Sequence, residues 1–300
     1  QITGITIPGQ GSITYNGYYW SVPQSITLPG GTARTYAYDP LQRVKSISVQ
    51  DPAKNSILNY AYAHDAVNNI QSKTTEHGTY AYTYDNLDRL TQADTPQGEE
   101  AFTYDAVGNR LTANEVAGTW NYNANNHLLG YAGISYIYDA NGNTTRKTGN
   151  GAVTNYVYDV DNRLTRVDDG SGNLIGQYYY DPFGRRLWKE VNGQRTYFLY
   201  ADEGLIAEFS ATGNPTRIYG YEPNSTWGTD PLYQKSGNSY TFYHNDHLGT
   251  PQKLTSGNGA IEWEARYKSF GEVQITNETV SSNIRFPGQY FDQETGLHYN

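Results

Sequence analysis

His244 and His247 form an H-x-x-H pair, the spacing in this chain nearest to a metal or general-base pair. Chelation needs both rings on one side, and on a strand residues three apart point to opposite faces. No carboxylate cluster completes a site around them, and the absence of Cys excludes thiolate ligands and disulfides. The pair therefore reads as part of a structural turn. Asp139-Ala140-Asn141-Gly142-Asn143 half resembles a calcium loop, but Thr144 and Asn150 stand where an EF-hand needs Gly and Glu. Asx hydrogen bonds in a turn account for it better; a weak surface Ca²⁺ site is the other reading. A third set is aromatic. Tyr82, Tyr84, Tyr156 and Tyr158, with Trp20, Trp227 and Trp263, offer ring faces on which pyranoses stack. Aromatics at regular strand spacing read first as a cross-strand ladder. No phosphate loop, nucleophile elbow or metalloprotease motif occurs. No catalytic, metal-binding or cofactor-binding residue is assigned.

What positions these residues is a repeat. Tyr104-Asp105-Ala106-Val107-Gly108-Asn109-Arg110-Leu111 shows its skeleton: a Tyr-Asp pair, then Gly or Asn, then Arg or Asn and an aliphatic residue. The pair recurs at Tyr38-Asp39, Tyr84-Asp85, Tyr138-Asp139, Tyr158-Asp159 and Tyr180-Asp181, with weaker copies at His64-Asp65, Tyr122-Asn123 and Tyr200-Ala201. Spacings of 16 to 26 residues define an internal repeat with a period near twenty. An aromatic two residues before the Tyr, as at Tyr36, Tyr82 and Phe102, puts two rings on one strand face. The Asp starts a turn by accepting from backbone N–H groups nearby, and Gly108, Gly142, Gly184 or Asn162 tolerates positive φ. Leu90, Leu111, Leu164 and Leu187 begin the return strand. The fold class expected is all-β: tandem hairpins in a curved antiparallel sheet, almost without helix. Roughly 25–30 strands at about 4.8 Å make a ribbon roughly 120–145 Å long. Sheet twist does not let so long a ribbon lie flat. It should form about one turn of a concave wall with an open edge, too small to enclose a folded domain alone.

Composition agrees. Thirty Tyr, periodic in the chain, supply an aromatic core despite few aliphatics. A formal charge of −9 argues against a basic nucleic-acid footprint. No apolar run approaches the 18 residues of a membrane span. The chain begins at Gln1 and ends at Tyr299-Asn300, and reads as a piece of something longer. The absence of Cys fits the cytosol and the outside of a cell equally.

Three segments follow. Residues 1–35 are an atypical β lead-in, with a hairpin signal at Asn16-Gly17; a degenerate first repeat is favoured over a separate small module. Residues 36–242 are the repeat array. Residues 243–300 carry two long words: Tyr243–Pro251, which contains His244, Asp246 and His247, and Arg285–Asn300, which contains Pro287-Gly288-Gln289 and Gly296-Leu297. The tandem Tyr-Asp units resemble the YD, or Rhs, repeat, and the two words resemble the Rhs-repeat-associated core segment. Together they cover residues 36–300. That resemblance implies a sheet spiralling into a hollow shell. In bacterial polymorphic toxins and insecticidal toxin complexes the shell encloses a C-terminal toxin; in teneurins it serves cell-surface adhesion. Implied partners are the rest of the parent shell and its cargo, with a cell-surface glycan as the rival. The implied location is secreted or on a bacterial surface. Asp181-Pro182-Phe183-Gly184 has the form of the family's aspartyl self-cleavage motif but sits inside an ordinary repeat, so a structural role is expected. The family's protease and toxin would lie past Asn300, so neither is carried over.

Overall fold

The computed structural model describes all 300 residues and contains 29 strands, numbered β1 to β29 in chain order, and no helix. Strands β1–β11 (residues 4–113) form one antiparallel sheet and β12–β27 (residues 121–278) a second, each in unbroken sequence order. A final hairpin, β28–β29 (residues 290–299), stands apart. Residues 1–35 belong to the first sheet without a break. The two sheets part at residues 114–120, and the 242/243 boundary lies inside β24 (Ser239–Asn245). The seam is stitched: the Trp120 N–H donates to the Leu111 carbonyl at 2.8 Å and the Tyr122 hydroxyl to that of Arg110 at 2.9 Å.

Two-residue alternation decides which face is inner. On β6 (Ser56–His64), Leu58, Tyr60 and Tyr62 are buried while Asn59, Ala61 and Ala63 are exposed. On β8 (Gly78–Tyr84), Tyr80, Tyr82 and Tyr84 share the inner face and Thr79, Ala81 and Thr83 the outer. Rings in and small residues out give the sheet one apolar face.

The ribbon then winds its end inside its beginning. Ile7, Ile13, Ile26 and Leu28 of the first strands pack on Leu232 and Phe242 of the second sheet. Arg34 donates to the Tyr243 carbonyl, and Tyr60 to Gln252. Alternate residues of those late strands point the other way: Tyr243, Leu254 and Trp263 pack on Ile284 and Tyr290 of the C-terminal segment. Every residue of β25 (Pro251–Thr255) is therefore buried, because sheet covers one face and the C-terminal segment the other. Rims meet as well. A Cβ on Gly30 would fall 1.9 Å from the Gly257 carbonyl oxygen, so two turns touch through bare backbone.

The return strands correct one expectation. Leu90 and Leu164 begin theirs, but β11 starts at Arg110 and β19 at Arg186, one residue before Leu111 and Leu187. Arginine there still faces inward because aromatics receive it: Arg110 lies 4.1 Å from both the Trp120 and the Phe270 ring centres.

Candidate functional site: the turn rim and the buried core segment

Each Tyr-Asp unit closes with the same clasp. One carboxylate oxygen of Asp85 accepts from the Leu87 and Arg89 N–H groups at 2.9 and 3.0 Å; the other accepts from Arg89 Nε at 2.7 Å. Asp39, Asp105, Asp139, Asp159 and Asp181 repeat the pattern, with Asn109 or Asn143 replacing Arg at two of them. The Arg89 hydrogen bond holds the Asp85 carboxyl below the usual carboxylate range. The weaker copies Asp65 and Asn123 form the clasp too, whereas Tyr200-Ala201 turns in two residues.

Neighbouring turns are tied together. The Tyr104 hydroxyl donates to the Leu90 carbonyl of the preceding repeat at 2.6 Å, Tyr84 to Ile70 at 2.8 Å, and Tyr138 to Leu128 and Tyr180 to Leu164 at 2.7 Å. Tyr38 does the same to Pro23. In the forward direction, Arg89 Nη1 reaches the Asp105 carbonyl at 2.8 Å. The rim is thus a ladder in which most repeats satisfy part-buried polar groups of their neighbours. Asp51 and Asp169 make identical clasps on the opposite rim, where the sequence shows only variable turns.

The third residue after the clasping Asp has positive φ whatever its type: Gly108 at 93°, Asn162 at 63°, but also Gln42 at 63° and Lys54 at 73°. Gln42→Gly and Lys54→Gly should each stabilise by about 0.5–1 kcal/mol, since a Cβ in that region costs about 1–2 kcal/mol and glycine returns part of it as entropy. Urea midpoints test this, and Gly108→Gln should move the other way.

The core segment supplies a different geometry. His244 is wholly buried, with Nε2 2.8 Å from Thr255 Oγ1, and burial drives its pKa well down. The His247 ring lies 4.7 Å from that of Tyr62, and burial pushes its pKa down to about 4. Asp246 clasps the Leu248 and Thr250 N–H groups and accepts from Gln252; burial pushes its pKa up to about 6. Pro287-Gly288-Gln289 forms a turn whose Gly288 N–H donates to Gly228 at 3.0 Å. Gly296 and Leu297 close the last hairpin, Leu297 pairing with Asp292. Asp292 meets buried Arg186 and, at 3.0 Å, Lys189, while Glu294 meets Lys189 at 3.0 Å. Burial opposes the charge on Arg186; Asp292 outweighs it and holds that guanidinium above its usual range.

A family profile for the teneurin YD-shell matches residues 35–299. The chain belongs to that family. Among curated relatives, the YD-shell chain is 29% identical over 210 residues to double-stranded DNA deaminase toxin A of Burkholderia cenocepacia, covering 60% of this chain and 15% of that one. It is 28% identical over 214 residues to toxin protein Tse5 of Pseudomonas aeruginosa, covering 59% and 16%. It is 29% identical over 184 residues to the tRNA nuclease WapA of Bacillus subtilis, covering 59% and 8%. The Tc holotoxin pore of Photorhabdus luminescens superposes with a TM-score of 0.73 at 18% identity, over 99% of this chain and 17% of that one. A TcdB2-TccC3 structure without its hypervariable C-terminal region gives 0.69 at 18%, over 99% and 18%. These likenesses show the fold, and the YD-shell chain spans less than a fifth of any of these proteins.

The other candidate residues of the YD-shell lie in turns, in the core and on the surface. Asp139 and Asp181 spend both carboxylate oxygens on local N–H donors. Trp263, a sugar candidate by sequence, is fully buried at the molecular centre, whereas Trp20 is exposed. Trp227 stacks on Tyr200 at 5.7 Å. Glu76, His77 and Glu264 converge with metal-like spacing that sequence reasoning missed, since two sheets supply them. The Lys253 ammonium already sits 2.6 Å from Glu76 and 3.1 Å from Glu264, where a cation would be.

So many inward tyrosines predict alkaline lability. Burial raises Tyr60, Tyr219 and Tyr290 well above the ordinary phenol value. A raised folded pKa contributes stability below the unfolded value and loses it as pH rises. Unfolding should set in above about pH 10, with tyrosinate absorbance and loss of sheet rising together. Tyrosinate appearing ahead of unfolding would contradict this.

Proposed function

We propose that this YD-shell chain is a stretch of wall that encloses another polypeptide, and performs no catalysis itself. One observation carries the reading. The tyrosine face is covered by later strands over the first sheet and by the C-terminal segment over the last strands. Between them, over β12–β16 (residues 121–158), no apolar cluster covers it, and Tyr136, Tyr156 and Tyr158 stay half-buried. The chain also exposes 15400 Å², against about 12,700 Å² for a compact protein of its mass. Inward curvature with an uncovered aromatic lining suits a chamber for an incompletely folded chain, kept from its target by confinement. The related toxins bearing such shells support a place outside the producing bacterium. No helix here is long and apolar enough to cross a membrane.

The test is protease protection. A reporter domain fused behind residue 300 should stay sensitive in this chain alone and become resistant inside a complete shell containing it. Equal sensitivity in both would overturn the reading. So would time-dependent self-cleavage of the purified chain that Asp181→Asn abolishes.

A glycan-binding reading rests on the outer face. Tyr179, over half exposed, stacks on Trp188 at 5.7 Å, and Trp188 pairs across strands with Tyr197. Glycan-array binding lost in Trp188→Ala would establish it.

A further inference from the structure

A cavity of about 410 Å³ lies between the tyrosine face of β7–β10 (residues 70–104) and the turns of the late strands. Its walls include Ile70, Leu90, Val273 and Phe286, with Tyr80, Tyr82 and Tyr84 along one side. That volume is the size of a small-molecule or side-chain site, far below a folded domain.

Its polar groups are unevenly matched. Asp246 is clasped by its own turn, and Glu100 accepts from the Ser269 N–H at 3.1 Å. Glu115 and Glu272 hold Lys268 at 3.0 and 3.2 Å. The anions are therefore occupied. Lys73 forms no ion pair; its ammonium lies 4.3 Å above the Tyr80 ring and 5.6 Å from that of Tyr60. The Tyr267 hydroxyl and Arg266 Nε are buried without partners. Arg266 Nη2 meets the ring Nδ1 of His77, at 3.1 Å, and no carboxylate. Surplus capacity in this cavity is on the donor side, and an ammonium has three N–H groups and no acceptor function.

We propose that this cavity binds a carboxylate carried on an apolar stem, with Lys73 as its counter-ion and Tyr267 as a second donor. A monoanion fits better than a phosphate dianion, because one unpaired ammonium within the field of Asp246 and Glu76 cannot neutralise two charges. Burial lowers the pKa of Lys73, so an anion there recovers part of what desolvation costs. Two sources share this chemistry: a small organic acid, or an acidic side chain of the enclosed polypeptide. The second deepens the shell reading and rests on it.

Calorimetric titration of the whole chain with 4-phenylbutyrate and with its neutral amide is the first arm. A capped alanine peptide with a central Glu, against the same peptide with Gln, is the second. The acid should bind at least about tenfold more tightly than the amide, and Lys73→Met should remove that margin. Lys235→Met, remote from the cavity but also beside a ring, Tyr240, should change nothing. Selective binding of the Glu peptide identifies the enclosed chain as source; binding of the free acid alone identifies a small molecule. ¹³C-dimethylated wild-type chain separates loss of the site from misfolding of Lys73→Met: phenylbutyrate should raise the Lys73 pKa. Equal affinity of acid and amide, an unmoved Lys73, or no binding of any probe would overturn the proposal. A shell that still protects its reporter under those results would keep the wall function and lose only this site.

Discussion

Asp292→Ala is expected to destabilise the chain by about 3–5 kcal/mol, the cost of leaving a buried charge unpaired. Arg186 and Asp292 are only 2% and 4% exposed at the side chain. The remaining partners of the guanidinium are ring faces, Tyr299 at 4.5 Å, Phe198 at 4.7 Å and Tyr290 at 5.2 Å, which cannot replace an anion. Asp292 also pins the C-terminal segment, so residues 279–300 should become the first site of proteolysis. Arg186→Leu combined with Asp292→Ala should regain most of the loss, because Leu90 and Leu164 fill the equivalent position elsewhere in the array. Urea denaturation of the two single variants and the pair gives the coupling energy. A loss below about 1 kcal/mol for Asp292→Ala would mean that apolar contacts, not the ion pair, hold the segment.

Lys253→Ala should cost about 1–3 kcal/mol by loosening one sheet from the other and leaving the Ile57 carbonyl without its donor. Lys253 is 4% exposed and reaches across the layers to the Ile57 carbonyl at 2.8 Å. Its removal leaves Glu76 and Glu264 facing each other with only the His77 ring between them, at 3.5 and 3.2 Å. Burial alone would raise the Glu264 pKa; Lys253 outweighs it and holds the carboxyl below its usual value. In the wild type this contributes stability above the unfolded pKa that is lost as pH falls through the folded one. Without Lys253 only the Thr276 hydroxyl and His77 oppose burial at Glu264, so most of that stabilisation is lost. The difference between variant and wild type should therefore be largest near neutrality and shrink in acid. Amide exchange should accelerate in strands 44–75 and 239–267 and stay unchanged in 134–169. Uniform acceleration would show a single cooperative unit rather than two docked layers.

Periodicity made much of this architecture legible. Tyr-Asp at intervals near twenty, with an aromatic two residues before, implies hairpins whose rings share a face, and the carboxylate needs only neighbours within four residues to close its clasp. Where the sequence misled, the cause was distance. Arg110 and Arg186 look like turn residues because their aromatic partners, Phe270 and Tyr290 among them, come from remote segments. Trp263 looks like a surface platform until two layers close over it.

By itself, then, the sequence determined strand type, order, inner face and turn chemistry, because each depends on contacts within one hairpin or between adjacent ones. Only the tertiary structure decided which stretch of ribbon lies inside which. Coiling brings Lys253 to Glu76 and Asp292 to Arg186. No local period encodes those pairings, since the twist that brings them together accumulates over many strands and is carried by none alone.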